Sequence, residues 1–149
     1  MKSRTRKIGK IASLAASEES RFGQIAGRSR QHLQEQLDRL GELNAFRQNY
    51  VNKSDARPTV SSAHWQDYQD FLRRLDTAVN AQQQIVRDCE RNLEIHRQRW
   101  MAKRQRLQSL ERVLEKYETE DQIHEARREQ KRLDELPKSR ATGFAADDD

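Results

Sequence analysis

The chain has 149 residues, 36% of them charged and only 34% hydrophobic, whereas an ordinary globular domain is about 45–50% apolar and about 25% charged. With 5 Gly, 2 Pro and no single-residue tracts, the Leu, Glu, Lys, Arg, Gln and Ala bias points to long helix in one domain rather than to disorder. A compact α/β enzyme is excluded by the lack of strand–helix alternation, and a membrane span by the lack of any run near ~18–20 apolar residues.

The net charge of +5 is unevenly spread: residues 1–64 carry 12 basic and 6 acidic groups, 65–117 carry 11 and 8, and 118–149 carry 6 and 10. The opening MKSRTRKIGKIASLAAS has the basic start and small apolar patch of a secretory signal. Lys10 interrupts the patch and helical periodicity continues through it, so it reads instead as the start of helix 1, spanning about residues 3–51. In that helix Ile8, Ile11, Ala15, Phe22 and Ile25 keep a 3-4 spacing, with Glu18 at one seam position. Leu33, Leu37 and Leu40 follow in a shifted frame, and Leu43, Phe46 and Tyr50 in another. Such shifts are stutters, which unwind a supercoil locally. Gly23, Gly27 and Gly41 each weaken the helix by up to ~1 kcal/mol relative to alanine. In water the Gly23-x-x-x-Gly27 pair reads as a place for close packing or bending.

Residues 52–61 collect turn formers around Pro58 and predict the loop. Ser61 suits an N-cap, with Val60 and Trp65 placed for a hydrophobic staple at the start of helix 2, about residues 62–136. From Trp65, alternate steps of three and four visit Tyr68, Leu72, Leu75, Val79, Gln82, Val86, Cys89, Leu93, His96, Trp100, Lys103, Leu107, Leu110, Leu114 and Tyr117. Only Gln82, His96 and Lys103 in that series are not apolar or aromatic. A 3-4 repeat sustained over seven heptads is a coiled-coil seam. Beyond Tyr117 only Ile123 and Leu133 mark an otherwise charged helix, supported by i,i+4 pairs. Pro137 is expected to end it, leaving 137–149 as a flexible tail.

These elements predict an all-α, antiparallel two-helix coiled-coil hairpin over residues 1–136, with helix 2 longer than helix 1. Partners across the seam should have residue numbers adding to roughly 115. Tyr50 would then face Trp65, Phe22 would face Leu93, and Ile11 would lie near Lys103. Residues 118–136 would project past helix 1 unpaired. Fifty helical residues extend about 75 Å, so the expected hairpin is a thin rod. It buries one stripe only and has marginal stability without a partner.

No P-loop, G-x-S-x-G, H-E-x-x-H or Cys-x-x-Cys occurs, so no catalytic residue, cofactor or metal ligand is expected. The lone Cys89 fits a reducing cytoplasm. His32, His64, His96 and His124 are too far apart in sequence for a local metal site. Cys89 and His96 share the seam but would need two ligands from helix 1, where Glu18 and His32 are distant, and a core role is the simpler reading. The expected register puts Glu18 beside His96, either in contact across the seam or with both side chains reaching water. It also gathers Lys2, Arg4, Arg6, Lys7 and Lys10 opposite Arg97, Arg99, Lys103, Arg104 and Arg106. That basic end suits an acidic protein surface better than nucleic acid, since it lacks a recognition helix and a stacking platform. At the loop end Phe46, Tyr50, Trp65, Tyr68 and Phe71 cluster, with Phe71 off the seam and partly exposed, as at a docking site.

The stretch from Trp65 through Tyr68 and Phe71 to Leu75, behind a short polar loop and a helix ending at Tyr50, resembles the FliJ family of flagellar export proteins. The later run from Trp100 through Leu107 to Leu110 is similar to that family's second-helix signature, and the likeness covers nearly the whole chain. It implies a soluble, non-enzymatic component of the flagellar type III export apparatus, cytoplasmic and peripherally attached to the inner membrane, that serves motility. Its fold would be a coiled coil similar to the central stalk of rotary ATPases. The open end would dock in the hexameric export ATPase, and the loop end on the cytoplasmic domain of the export gate. Export chaperones would be further partners. The resemblance carries the gate-binding face to Leu43, Phe46, Tyr50, Phe71, Leu75 and Ala78. Arg39 and Gln82 depart from the family pattern at its edge. It carries the ATPase-binding end to Ile8, Ile11, Ala15 and Phe22, with Lys103 and Arg104 nearby. Competing readings are the equivalent stalk of a virulence secretion system, a basic coiled coil bound to nucleic acid, and a scaffold in which two hairpins form a four-helix bundle.

Overall fold

The computed structural model describes residues 2–55 and 61–144, and the side chains of 2–54 and 61–136. Two helices account for them. α1 runs Lys2–Asp55 and α2 runs Ser62–Phe144, 54 and 83 residues. They pack antiparallel against each other, so the fold is the all-α hairpin that the two seams specify. The chain divides into two units, Met1–Glu19 with Lys103–Asp149, and Ser20–Ala102.

α2 begins where its capping chemistry lies. The His64 N–H donates to Ser61 Oγ at 3.4 Å, the Trp65 N–H bonds the Ser61 carbonyl at 3.0 Å, and Ser61 Oγ lies 2.7 Å from His64 Nδ1. Ser61 therefore satisfies donors that the first helical turn leaves orphaned. Val60, the other half of the expected staple, lies outside the described residues, as do 56–60 and 145–149. Replacing Ser61 with Ala is expected to cost about 0.5–2 kcal/mol, measured in a urea melt. A loss of under a few tenths would mean that the cap does not hold the helix start.

α1 continues through Asn52 to Asp55, where turn formers predict a loop. The i,i+4 bond from Gln48 Nε2 to Asn52 Oδ1, 3.1 Å, supports that extra turn. At the other end α2 continues through Pro137 to Phe144, correcting the expected stop at the proline. The acceptor that the proline leaves unpaired is the carbonyl of Leu133, on an exposed turn that water reaches.

The seam of α2 lies where the repeat places it. Every position from Tyr68 to Tyr117 is buried or half-buried, and the series continues to Asp121; only Trp65, 52% exposed, falls outside. The frames read into helix 1 need correction. Its inward residues follow one 3-4 series. In the first unit these are Thr5, Ile8, Ala12, Ala15 and Glu19. In the second they are Phe22, Ala26, Ser29, Leu33, Gln36, Leu40, Leu43, Arg47, Tyr50 and Ser54. Ile11, Leu37 and Phe46, which set the apparent stutters, are 40%, 38% and 53% exposed. In places a large α2 side chain fills the seam and a small α1 residue faces it. Gly23 is the extreme case, since a Cβ there would lie 2.9 Å from Trp100 Nε1.

The register also differs from the expected one. Gln36 meets Gln82 rather than Val79, and Arg47 meets Asp76 rather than Tyr68. Trp100, not Leu93, sits beside Gly23. In the first unit Glu18 meets Lys103 at 3.0 Å, one heptad beyond the residue expected to face it. Extending α1 to Asp55 moves the turn towards α2, and every cross-helix partner moves with it. Glu120, Asp121 and Glu125 are therefore partnered, through Arg4–Glu120 at 2.7 Å, Thr5 Oγ1 donating to Asp121 Oδ2 at 2.6 Å, and Lys2–Glu125 at 3.1 Å.

Candidate partner-binding surfaces

At the loop end of the second unit, the aromatic residues form a ladder that joins the helices. Phe46 meets Phe71 edge-on with ring centroids 6.3 Å apart, and Phe71 meets Tyr50 at 4.6 Å. Tyr50 stacks on Tyr68 at 5.2 Å, and Tyr68 on Trp65 at 5.6 Å. Such pairs add about 0.5–1.5 kcal/mol beyond area burial, so the inner rungs Tyr50, Tyr68 and Phe71 hold the helices together. The outer rungs have open faces, Phe46 at 53% and Trp65 at 52% exposure. Trp65 thus stacks on its own helix instead of facing Tyr50 across the seam. Aromatic rings already fixed by neighbours lose little entropy on meeting a partner, which suits a docking patch.

The residues carried over for the gate-binding face divide by exposure. Phe46 is open, Leu43, Tyr50, Phe71 and Ala78 are half-buried, and Leu75, 8% exposed, belongs to the core. The two departing positions turn different ways. Arg39 is exposed and shares a shallow groove with Glu42, Leu43, Phe46 and Gln82. The amide of Gln82 instead points inward, its Nε2 donating to the Gln36 carbonyl at 3.0 Å and to Gln36 Oε1 at 2.9 Å.

At the open end, Ile11 and Arg104 are exposed, Ile8 and Lys103 half-buried, and Ala15 fully packed. Phe22, expected with them, is half-buried in the second unit. Leu14, at 68% exposure, is the most open large apolar side chain among the described residues. Its signal in the sequence was its place three residues after Ile11, off the true seam. The expected basic cluster is corrected: the first turn of α1 faces Glu120, Asp121 and Glu125, and the Arg4 guanidinium also lies 3.7 Å from the centroid of the Tyr117 ring. Lys103 is engaged by Glu18, so the expected Glu18–His96 contact is replaced by a Glu18–Lys103 ion pair.

His96 lines a groove of the second unit with Ile25, Arg28, Ser29, His32, Asn92 and the buried free thiol of Cys89. The hairpin thus brings together histidines that are 64 residues apart in sequence. Among the described residues no group of three or more His, Cys, Asp or Glu could hold a metal ion, and no helix is long and apolar enough to cross a membrane.

A hairpin with one packed seam and rings that stand open at the loop end defines a two-helix, all-α protein with an exposed aromatic patch. The sequence matches the family described as flagellar FliJ protein over residues 5–142. The flagellar FliJ protein of Escherichia coli (strain K12) is 27% identical over 131 residues, covering 87% of this chain and 89% of its own. That of Salmonella typhi is 23% identical over 128 residues, covering 85% and 87%. The chain therefore belongs to the FliJ family, and is a flagellar protein associated with export. No solved structure matches.

Proposed function

We propose that this chain is a non-catalytic stalk of the flagellar export apparatus, joining the export ATPase hexamer to the cytoplasmic domain of the export gate and helping to deliver chaperone-bound substrates. The observation that carries the reading is the open aromatic ladder at the loop end of a FliJ-family hairpin. Phe46 offers an uncovered ring fixed against Phe71, the kind of anchor on which interface energy concentrates. The ATPase would take the other end, where Ile11 and Leu14 are open beside Lys7 and Lys10. The chain would act in the cytoplasm, at the inner face of the membrane-bound apparatus.

The test is a pull-down of the full chain with the purified export ATPase and, separately, with the gate's cytoplasmic domain. Replacing Phe46 with Ala should reduce gate capture and swimming about tenfold or more while leaving far-UV helicity and ATPase capture intact. Capture of neither protein, together with duplex-DNA binding that falls steeply with salt, would replace the stalk reading with the nucleic-acid one.

A further inference from the structure

The second unit presents one face built from two heptad columns. On α1, Ile25, His32, Arg39 and Phe46 recur every seven residues, and on α2 Phe71, Ala78, Ile85 and Asn92 do the same. Phe46 meets Phe71 at one end of this face, and Asn92 shares a groove with Ile25 and His32 at the other. Its character changes along its length. The rings of Phe46 and Phe71 give way to Arg39 and Ala78, then to Ile85, which is 43% exposed, and then to side chains rich in hydrogen-bond donors.

Arg28, His32, Asn92 and His96 converge on that donor-rich groove. A guanidinium, two imidazoles and an amide bring many N–H groups, and no carboxylate lines the groove. Glu35 lies outside the lining, its Oε2 4.0 Å from His32 Nδ1. Among the described residues Arg28 makes no ion pair. A planar guanidinium with neighbouring donors matches a carboxylate, with two parallel hydrogen bonds available from the guanidinium alone. The separation of Arg28 from Phe46 along α1, at ~1.5 Å per residue, is about 27 Å.

We propose that this groove receives an acidic side chain of the protein that docks on the aromatic patch, so that the whole face reads an amphipathic partner helix of about five turns. Apolar residues of that helix cover Phe46, Phe71 and Ile85, and a Glu or Asp some 20–27 Å farther along enters between Arg28, His32 and His96. The inference rests on the docking reading above and adds the chemistry of the partner.

Isothermal titration of the full chain with the purified cytoplasmic domain of the export gate tests it. Arg28→Glu should weaken binding about tenfold or more. Arg30→Glu makes the same charge change about 200° around the helix, and should alter it less than twofold. Far-UV circular dichroism checks that both variants stay helical. If Arg28→Glu and Arg30→Glu weaken binding equally, long-range charge accounts for the effect and the groove is overturned. If only Phe46→Ala weakens binding, the groove is overturned while the docking reading stands. If the parent chain does not bind, both fall.

Discussion

Gly23→Ala should destabilise the hairpin, whereas Gly27→Ala and Gly41→Ala should stabilise it. In a helix interior, alanine ordinarily exceeds glycine by ~0.8–1 kcal/mol, because glycine surrenders more backbone freedom on folding. Nothing lies within 4 Å of a Cβ added at Gly27 or Gly41, so these two should show the ordinary gain, about 0.4–1 kcal/mol. At Gly23 the added carbon would meet Trp100 at 2.9 Å from Nε1, 3.3 Å from Cε2 and 3.4 Å from Cδ1. Those atoms belong to a rigid ring, so either the indole or the helix must move. Overpacking of this kind costs about 1–3 kcal/mol, which outweighs the propensity gain. Urea melts followed by far-UV circular dichroism give the comparison. Adding Trp100→Leu to Gly23→Ala should recover part of the loss, since the two residues are coupled. A Gly23→Ala protein as stable as Gly27→Ala would show that Trp100 does not seat on the glycine.

The same contact shows what the sequence made legible. The seam of α2 could be read residue by residue because its members are large: Leu72, Val79, Leu93, Leu107 and their neighbours announce the period by hydrophobicity alone. The facing seam of α1 is as regular, but among Ile8, Phe22, Leu33, Leu40, Leu43 and Tyr50 it sets Thr5, Ala12, Ala26, Ser29, Gln36 and Arg47, and hydropathy does not distinguish these six from surface residues. Following the bulky residues instead led to Ile11, Leu37 and Phe46, which lie beside the seam rather than in it. The frame error comes from side-chain size, and the register error from the extra turn that carries α1 to Asp55. Side-chain size is conserved across an interface as a sum, so a large residue on one helix hides the signal on the other. The aromatic cluster at the loop end was more readable than the register, since it depends only on which residues are near the turn. The groove of Arg28, His32, Asn92 and His96 was not readable, because it exists only once the register is fixed.

Gln82→Leu should destabilise the chain more than its gain in apolar surface suggests. Gln36 and Gln82 are the two buried polar residues of the described core, 4% and 8% exposed, and the Gln82 amide supplies the donors for Gln36 Oε1 and the Gln36 carbonyl. Removing that amide leaves the Gln36 side-chain oxygen buried without its partner, which costs about 1–3 kcal/mol. Gln36→Leu leaves the Gln82 amide one acceptor short and should lose a similar amount. The double variant should regain the loss and can exceed the parent, because leucines pack an apolar seam without a desolvation penalty. It should then lose definition of register. A one-heptad slip leaves most seam pairings apolar, but in the parent it separates Gln82 from Gln36 and strands both amides. That contrast is what a polar pair contributes in a coiled coil. Spin labels at the exposed positions 44 and 74, in a Cys89→Ala background, should give one narrow distance in the parent register and a broadened distribution in the double variant. Single variants as stable as the parent, or a double variant with an unchanged distance, would assign register to the Arg47–Asp76 pair and the Gly23–Trp100 contact instead.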